Sequence, residues 1–412
     1  MVDMAENKFT ETKNGGMRIR VVLLQPFLSH YRKPIFHLLC RQEHPKPSYT
    51  FWSDIVGKDG IKTIDFQNSK IAPQYGGLNW QKISNIWLGK VFLWQTAAIK
   101  LALNQEVDCI IFSGTMYHLS TWISAVIARF KGKRVLMWTH GYLSEEKNAK
   151  GWLRELFYRL ANGLLVYGHQ SRNFLLNRGF DAEKIYVVYN SLNYKLQCRI
   201  REKTTRGQLD NLKTQLFAVP DLPVLIYIGR LTSQKKLSIL LKAVYILKKT
   251  GYDLNVLLVG NGPERLLLEQ DAKRYRIADN VVFYGSCYDE EEIGPLIMLS
   301  DICVAPGEIG LTCMHVMAYG VPAITHDQSD LQMPEWEAIS PGVTGTLFKY
   351  DDSQDLARVT RAWLQQDIPR EQVSANCYEI IGRYYNARYQ TKIINGAVCG
   401  VGVSDLLSKG GA

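Results

Sequence analysis

The amino-acid sequence predicts an α/β protein made of two Rossmann-like, doubly wound parallel-sheet domains in tandem. Three observations carry that expectation. The chain has 412 residues, about two to three times an ordinary domain, so two cores are expected rather than one. Short runs rich in β-branched residues alternate with longer amphipathic stretches, as parallel strands do with their crossover helices. The alternation pauses once, across residues 196–222, a stretch rich in Arg, Lys, Thr, Gln and Asp that runs into Pro223.

Before the pause, the strand-like runs are 18–24 (RIRVVLL), 108–112 (DCIIF), 134–138 (RVLMW), 163–167 (GLLVY) and 185–188 (IYVV). They define a first domain over 17–195, with 196–222 as the interdomain connection. After it come VLIYIG (224–229), an amphipathic helix closed by Gly251, NVLLVG (255–260), a helix from Pro263 and VVFYG (281–285). A helix from about Asp289 follows, then DICVAP (301–306), a helix over 312–319 and PAIT (322–325). The second domain is expected over 223–385, and 386–412 as a tail packing back on the first. Asp351-Asp352 reads as a helix cap and not as a metal-binding pair.

Hydrophobic residues make up 46% and charged ones 21%, a globular composition that excludes a disordered chain. The longest apolar candidate, Val91 to Leu103, is broken by Gln95 and Lys100 and is too short to span a bilayer. With a polar N-terminal run that lacks secretory organisation, the expectation is a cytoplasmic protein, soluble or peripheral at the inner face of the cell membrane. Eight cysteines, none in a C-x-x-C pair, are expected as reduced thiols. The net charge of +10 comes from the first half of the chain, the second half being slightly acidic. A basic first domain points to an anionic partner, here a membrane surface or a charged acceptor. No stacking or base-reading motif supports nucleic acid.

In open parallel sheets ligands sit at the carboxyl ends of the strands, so the strand-to-helix loops are the candidate site. Gly229-Arg230-Leu231-Thr232-Ser233-Gln234-Lys235-Lys236 sets two cations, Arg230 and Lys235, near a helix N-terminus, an arrangement suited to a diphosphate. A solvated basic helix start would look similar. Gly260-Asn261-Gly262-Pro263-Glu264, Tyr284-Gly285-Ser286 and the segment from Asp301 to Pro322 complete the series, and their order and spacing are the specific feature.

Together these loops resemble the C-terminal domain of the family-4 retaining glycosyltransferases of the GT-B fold, densely over residues 224–348. In the first half the likeness is looser: Pro26–Phe36 (PFLSHYRKPIF), Trp138-Thr139-His140-Gly141 and Asn190-Ser191-Leu192-Asn193. The resemblance implies two domains facing across a cleft, a nucleotide-sugar co-substrate, no further cofactor and no metal. It makes Arg230 and Lys235 the diphosphate pair, beside Gly229. Gly307, Ile309, Gly310, Leu311 and Thr312 become the loop that holds the donor sugar and distal phosphate. Gly260, Asn261, Tyr284, Gly285 and Ser286 become walls of the base pocket, and His140 the histidine presented toward donor sugar and acceptor. His30, Tyr31, Arg32 and His118 are expected on the acceptor side.

The sequence departs from the family at its pair of glutamates. Aligning on Gly310-Leu311 and Ala318–Pro322 puts Gly307 at the first and His315 at the second, with Glu308 one residue late. Glu308 is expected to cover the first role and His315 to hydrogen-bond the ribose or sugar. The implied activity is retaining sugar transfer to a glycan or lipid-linked saccharide in surface-polysaccharide assembly. A nucleotide-sugar epimerase of the same fold, or a catalytically weak nucleotide- or glycan-binding relative, stays open as an alternative.

Overall fold

The computed structural model describes residues 18–41, 47–57, 62–64 and 78–408. Met17, the expected start of the first domain, and positions 409–412 of the expected tail lie outside the described residues. The chain divides into two compact units, Met1–Asn193 with Ala387–Ala412, and Tyr194–Asn386.

The first unit opens with β1 (Arg20–Phe27), α1 (Lys33–Cys40), β2 (Ser48–Asp54) and β3 (Trp80–Lys82). An antiparallel ribbon of β4 (Ile86–Leu88) and β5 (Phe92–Trp94) precedes α2 (Thr96–Leu103), β6 (Cys109–Ser113) and α3 (Leu119–Phe130). Then come β7 (Arg134–Thr139), α4 (Ala149–Tyr158), β8 (Gly163–Val166), α5 (His169–Asn177) and β9 (Ile185–Val187). Seven strands form one parallel sheet in the order β3-β2-β1-β6-β7-β8-β9. Residues 109–112 are at most 1% exposed; helices cover both faces of such a sheet, which is why its strands read as unbroken apolar runs.

The polar segment expected as an interdomain connection is largely helical and belongs to the second unit, as α6 (Tyr194–Lys203) and α7 (Arg206–Leu216). Thr205 starts α7 with a capping box: its side chain accepts from the Gln208 amide while Gln208 reaches back to the Thr205 N–H. Gln197 and Ile200 are the buried residues of α6. The remaining elements are β10 (Val224–Ile228), α8 (Leu237–Lys249), β11 (Asn255–Val259), α9 (Arg265–Arg274), β12 (Val281–Gly285), α10 (Glu290–Met298) and β13 (Ile302–Ala305). They continue through α11 (Leu311–Ala318), β14 (Ala323–His326), β15 (Gly345–Phe348), α12 (Ser353–Leu364) and α13 (Arg370–Arg383). Their sheet is parallel in the order β12-β11-β10-β13-β14-β15. Gly251, at φ +75°, follows the end of α8, and the Asp352 carboxylate caps α12 by accepting from the amides of Gln354 and Asp355.

The chain then returns to the first unit with α14 (Ala387–Cys399) and α15 (Val403–Ser408). Ile393, Ile394, Ala397 and Val398 of α14 share one core with Val21, Leu23, Ile111, Leu136 and Trp138. Polar pins hold it there: Tyr49 donates to Asn395 Oδ1 at 2.7 Å, and Gln390 donates to the Tyr189 carbonyl at 2.7 Å.

Each sheet reverses its strand order once, between β1 and β6 in the first and between β10 and β13 in the second. At such a reversal the flanking crossovers leave on opposite faces and open a crevice at the carboxyl edge. The loops after β1, β10 and β13 begin there.

Candidate active site

In the second unit three glycines let the strand-end loops approach one another. Gly229 and Gly260 sit at φ +149° and +150°, a conformation that disfavours side chains. A Cβ on Gly260 would fall 1.8 Å from the Gly229 carbonyl oxygen, and one on Gly307 would fall 2.1 Å from that of Gln234. The loops are stitched by backbone bonds: Leu231 N–H to Asn261 O at 3.1 Å, Gly260 N–H to Gly285 O at 2.7 Å and Gly307 N–H to Lys235 O at 3.1 Å.

On this scaffold the Lys235 ammonium donates to the Glu308 carboxylate at 3.1 Å and to the Glu308 carbonyl at 3.0 Å. Arg230 is exposed and makes no side-chain hydrogen bond to any described residue, so its guanidinium is available to a ligand. Gly310, at φ +46°, caps α11, and Thr312 of its first turn donates to the Ile228 carbonyl at 2.9 Å. Leu311 opens the helix, half-buried. The Ile309 amide is taken by Gln332 Oε1 at 3.0 Å; Gln332, 3% exposed, also donates to Thr325 and to the His326 carbonyl. Gln332 thus fixes the loop from inside, and no motif in the sequence marks it.

His315 and Glu290 form the other unforeseen pairing. His315 Nε2 lies 2.9 Å from Glu290 Oε1, and the Tyr319 hydroxyl donates to the same oxygen at 2.9 Å. Burial opposes the Glu290 charge, but these donors outweigh it and hold the carboxyl below its usual range. A neutral His315 therefore carries its proton on Nε2 and keeps Nδ1 as the lone-pair nitrogen. The acidic run Asp289–Glu292 reads in sequence only as a helix start. At the neighbouring strand end Tyr284 donates to Glu292 at 2.7 Å, which pushes its pKa up to about 12, while Ser286 is exposed.

In the first unit the carboxyl edge gathers Arg32, Trp138, His140 and Tyr167. Arg32 donates to the Tyr167 hydroxyl, and its guanidinium carbon lies 4.9 Å from the Trp138 ring centre, 5.2 Å from that of Tyr167 and 5.6 Å from that of Tyr31. The His140 ring lies 4.7 Å from the Tyr167 ring. Although that imidazole is exposed at its surface, the protein crowded around it and then the Arg32 cation lower its pKa, so it is uncharged at neutral pH. His30 is exposed, with Nδ1 donating to the Lys62 carbonyl at 3.1 Å. His118, 5% exposed, lies in the turn that starts α3. The structure thus brings Tyr31, Arg32 and His140 together, and it places His118 in the protein interior.

Two parallel sheets with this pair of reversals define the class: a two-unit α/β protein of the GT-B fold. Residues 210–380 match the model of the glycosyl transferases group 1 family. The α-D-kanosaminyltransferase of Streptomyces kanamyceticus is 22% identical over 239 residues, 57% of this chain and 59% of that protein. Bacillus subtilis EpsF, named as a glycosyltransferase, is 24% identical over 235 residues, 52% of this chain and 58% of that one. The chain thus spans under two thirds of the length of these relatives. The crystal structure of Anabaena HepE in complex with UDP has a TM-score of 0.68 at 18% identity, covering 95% of this chain and 100% of that one, a likeness of fold.

Proposed function

We propose that the protein is a retaining glycosyltransferase that moves a sugar from a nucleotide-sugar to a glycan or lipid-linked saccharide in surface-polysaccharide assembly. One observation carries the reading: within the segment that matches the glycosyl transferases group 1 model, glycines bring three strand-end loops together around Lys235, beside an uncommitted Arg230. In this reading Arg230 and Lys235 neutralise the diphosphate as it leaves, the amides of 310–312 hold the distal phosphate and sugar on a loop that Gln332 fixes through the Ile309 amide, and Asn261, Tyr284, Gly285 and Ser286 border the base. The acceptor oxygen bonds to the anomeric carbon on the face from which the nucleotide departs. The carbon–oxygen bond to the phosphate breaks, and the phosphate takes the acceptor proton. His140, uncharged, serves the acceptor side as a hydrogen-bonding group. No metal is needed where two side-chain cations meet the diphosphate.

UDP in the HepE crystal makes UDP-sugars the first donors to try, with GDP- and CDP-sugars beside them. A matching donor at a hundredfold excess over its Kd should stabilise the fold by about 2.7 kcal/mol and raise the melting temperature. It should release nucleotide when a saccharide acceptor is added. Interconversion of the nucleotide-sugar without acceptor would favour the epimerase, and binding without transfer or hydrolysis over long incubation would favour the inactive relative.

We place the site of action at an anionic membrane. Among the described residues no helix is long and apolar enough to cross a bilayer. The first unit nevertheless exposes Ile123, Val126 and Phe130 along one face of α3, and Trp152, Leu153 and Leu156 on α4. These helices touch through the Trp122 and Phe157 rings at 4.9 Å. Lys131, Lys147 and Lys150 flank them, the last two paired with Glu145 and Glu146, and the apolar tips with these lysines support contact with an acidic leaflet. The protein is expected to float with vesicles containing phosphatidylglycerol and to be released as salt rises, each Lys or Arg near the surface contributing about 1 kcal/mol. Flotation unchanged by salt and by the Phe130→Ser/Trp152→Ser pair would remove this part of the reading.

A further inference from the structure

The Arg32 guanidinium is a part-buried cation with no acid beside it among the described residues. Among the described residues its polar partners are phenol oxygens, chiefly Tyr167 and then Tyr31, and these keep its charge in place against burial. Three aromatic rings lie around its plane. Aromatic faces hold a guanidinium in a fixed orientation but leave its in-plane N–H groups to find acceptors. Its Nε–H is buried and has none. A buried charge without a counter-charge is costly, and native proteins pair such groups or keep them for a ligand.

Two more buried donors lack a partner among the described residues, the Trp138 indole Nε1, in a residue 3% exposed, and the Gln25 amide Nε2. The sheet register relates them. Leu24 pairs with Phe112, Gln25 is the next residue of β1, and on the other side of β6 Ser113 pairs with Trp138. Gln25 and Trp138 therefore belong to one row of strand ends, two strands apart, roughly 9–10 Å, with β1 shifting register between Leu24 and Phe27. The row crosses β6 at the point where the strand order reverses. All three unpartnered atoms are N–H donors, so the complementary ligand is rich in acceptors and carries negative charge.

We propose that this row is an oxyanion site and that the acceptor bears a phosphate or carboxylate group held by Arg32, with Trp138 and Gln25 donating to the same ligand. The proposal deepens the acceptor-side reading of the first unit and rests on it. It gives a local purpose to the positive charge of the first half of the chain.

The test uses the full chain carrying Arg230→Gln and Lys235→Gln, so that phosphate cannot respond through the donor side, with arginine side chains labelled with nitrogen-15. The Nε–H resonance lost in Arg32→Lys belongs to Arg32. At constant ionic strength it is expected to move and saturate with inorganic phosphate or with malonate. Calorimetry is expected to show about tenfold weaker binding in Arg32→Lys, because an ammonium keeps the charge but not the planar fork. A response to phosphate alone assigns a phosphorylated acceptor, which short-chain lipid phosphates and sugar phosphates then separate into membrane-borne and free sources. A response to malonate alone assigns an acidic sugar. A resonance unmoved by either anion, in protein whose circular dichroism and melting temperature match the parent, overturns the site. These titrations need no donor turnover, so failure of the transferase reading would appear separately, as absence of nucleotide release.

Discussion

Replacing Lys235 with alanine is expected to lower kcat/KM for the nucleotide-sugar donor about 10²–10³-fold, with most of the loss in kcat, as for removal of one preorganised group that meets developing charge. Two features make this the largest effect of any single side chain in the site. The Lys235 ammonium is held from two sides, by the carboxylate and the carbonyl of Glu308, so it is positioned before the donor arrives. Its removal also leaves the Glu308 carboxylate unpaired next to an incoming diphosphate, adding repulsion to the lost attraction. Arg230→Ala lacks that second penalty, because Arg230 is exposed and forms no ion pair with any described residue, and is expected to fall less far. A double-mutant cycle separates the roles of Glu308. If it serves only to hold Lys235, adding Glu308→Ala to Lys235→Ala restores part of the lost activity, and Glu308→Ala alone stays within about threefold of the parent. If Glu308 also meets the donor sugar, the single variant loses activity with Lys235 intact. Steady-state kinetics on the four proteins decide it, and a Lys235→Ala enzyme within about threefold of the parent would remove the diphosphate assignment.

The fold was legible in the sequence where strands are buried on both faces. β6, β7, β10 and β11 read as unbroken apolar runs because helices cover each side of them. β2 did not announce itself: it alternates half-buried with buried residues over Ser48–Asp54, and its Ser, Thr and Asp weaken any apolar signal. The helices α6 and α7 were hidden by their polarity, since only Gln197 and Ile200 of the pair are buried. In the site, glycines and cations were legible because their chemistry is local, a turn or a charge at a strand end. Gln332 and Glu290 were not. They reach Ile309 and His315 from 23 and 25 residues away in sequence, and spacing within a motif carries no trace of a partner brought in by another element. The same holds for Tyr167, whose ring and hydroxyl arrive beside Arg32 and His140 from the end of β8.

Gly307 is the second place where a large effect is expected, and it concerns the departure from the family pattern. Restoring a glutamate there, Gly307→Glu, should not raise activity. A Cβ at this position would lie 2.1 Å from the Gln234 carbonyl oxygen and 2.8 Å from the Lys235 Cα. Both are backbone atoms, so no side-chain rotation relieves the overlap. The Gly307 N–H meanwhile donates to the Lys235 carbonyl at 3.1 Å, and the Gly307 carbonyl accepts from Thr325 at 3.2 Å. The chain thus presses the end of β13 directly against the Lys235 loop, and glycine is what permits the approach. Any side chain must part the two segments, break the hydrogen bond between them and move the Lys235 ammonium proposed above to meet the diphosphate. Gly307→Glu and Gly307→Ala are therefore both expected to destabilise the second unit by about 3 kcal/mol or more. Both should weaken donor binding at least roughly tenfold, a displacement of about 1 Å in a positioned group costing that much or more. Alanine separates the contributions: a loss shared by both variants comes from the Cβ, and a loss seen only in glutamate comes from charge. Thermal melts with and without donor, alongside kinetics, read out both. A Gly307→Glu protein that melts like the parent and turns over faster would place the family's first glutamate back at 307 and withdraw that role from Glu308.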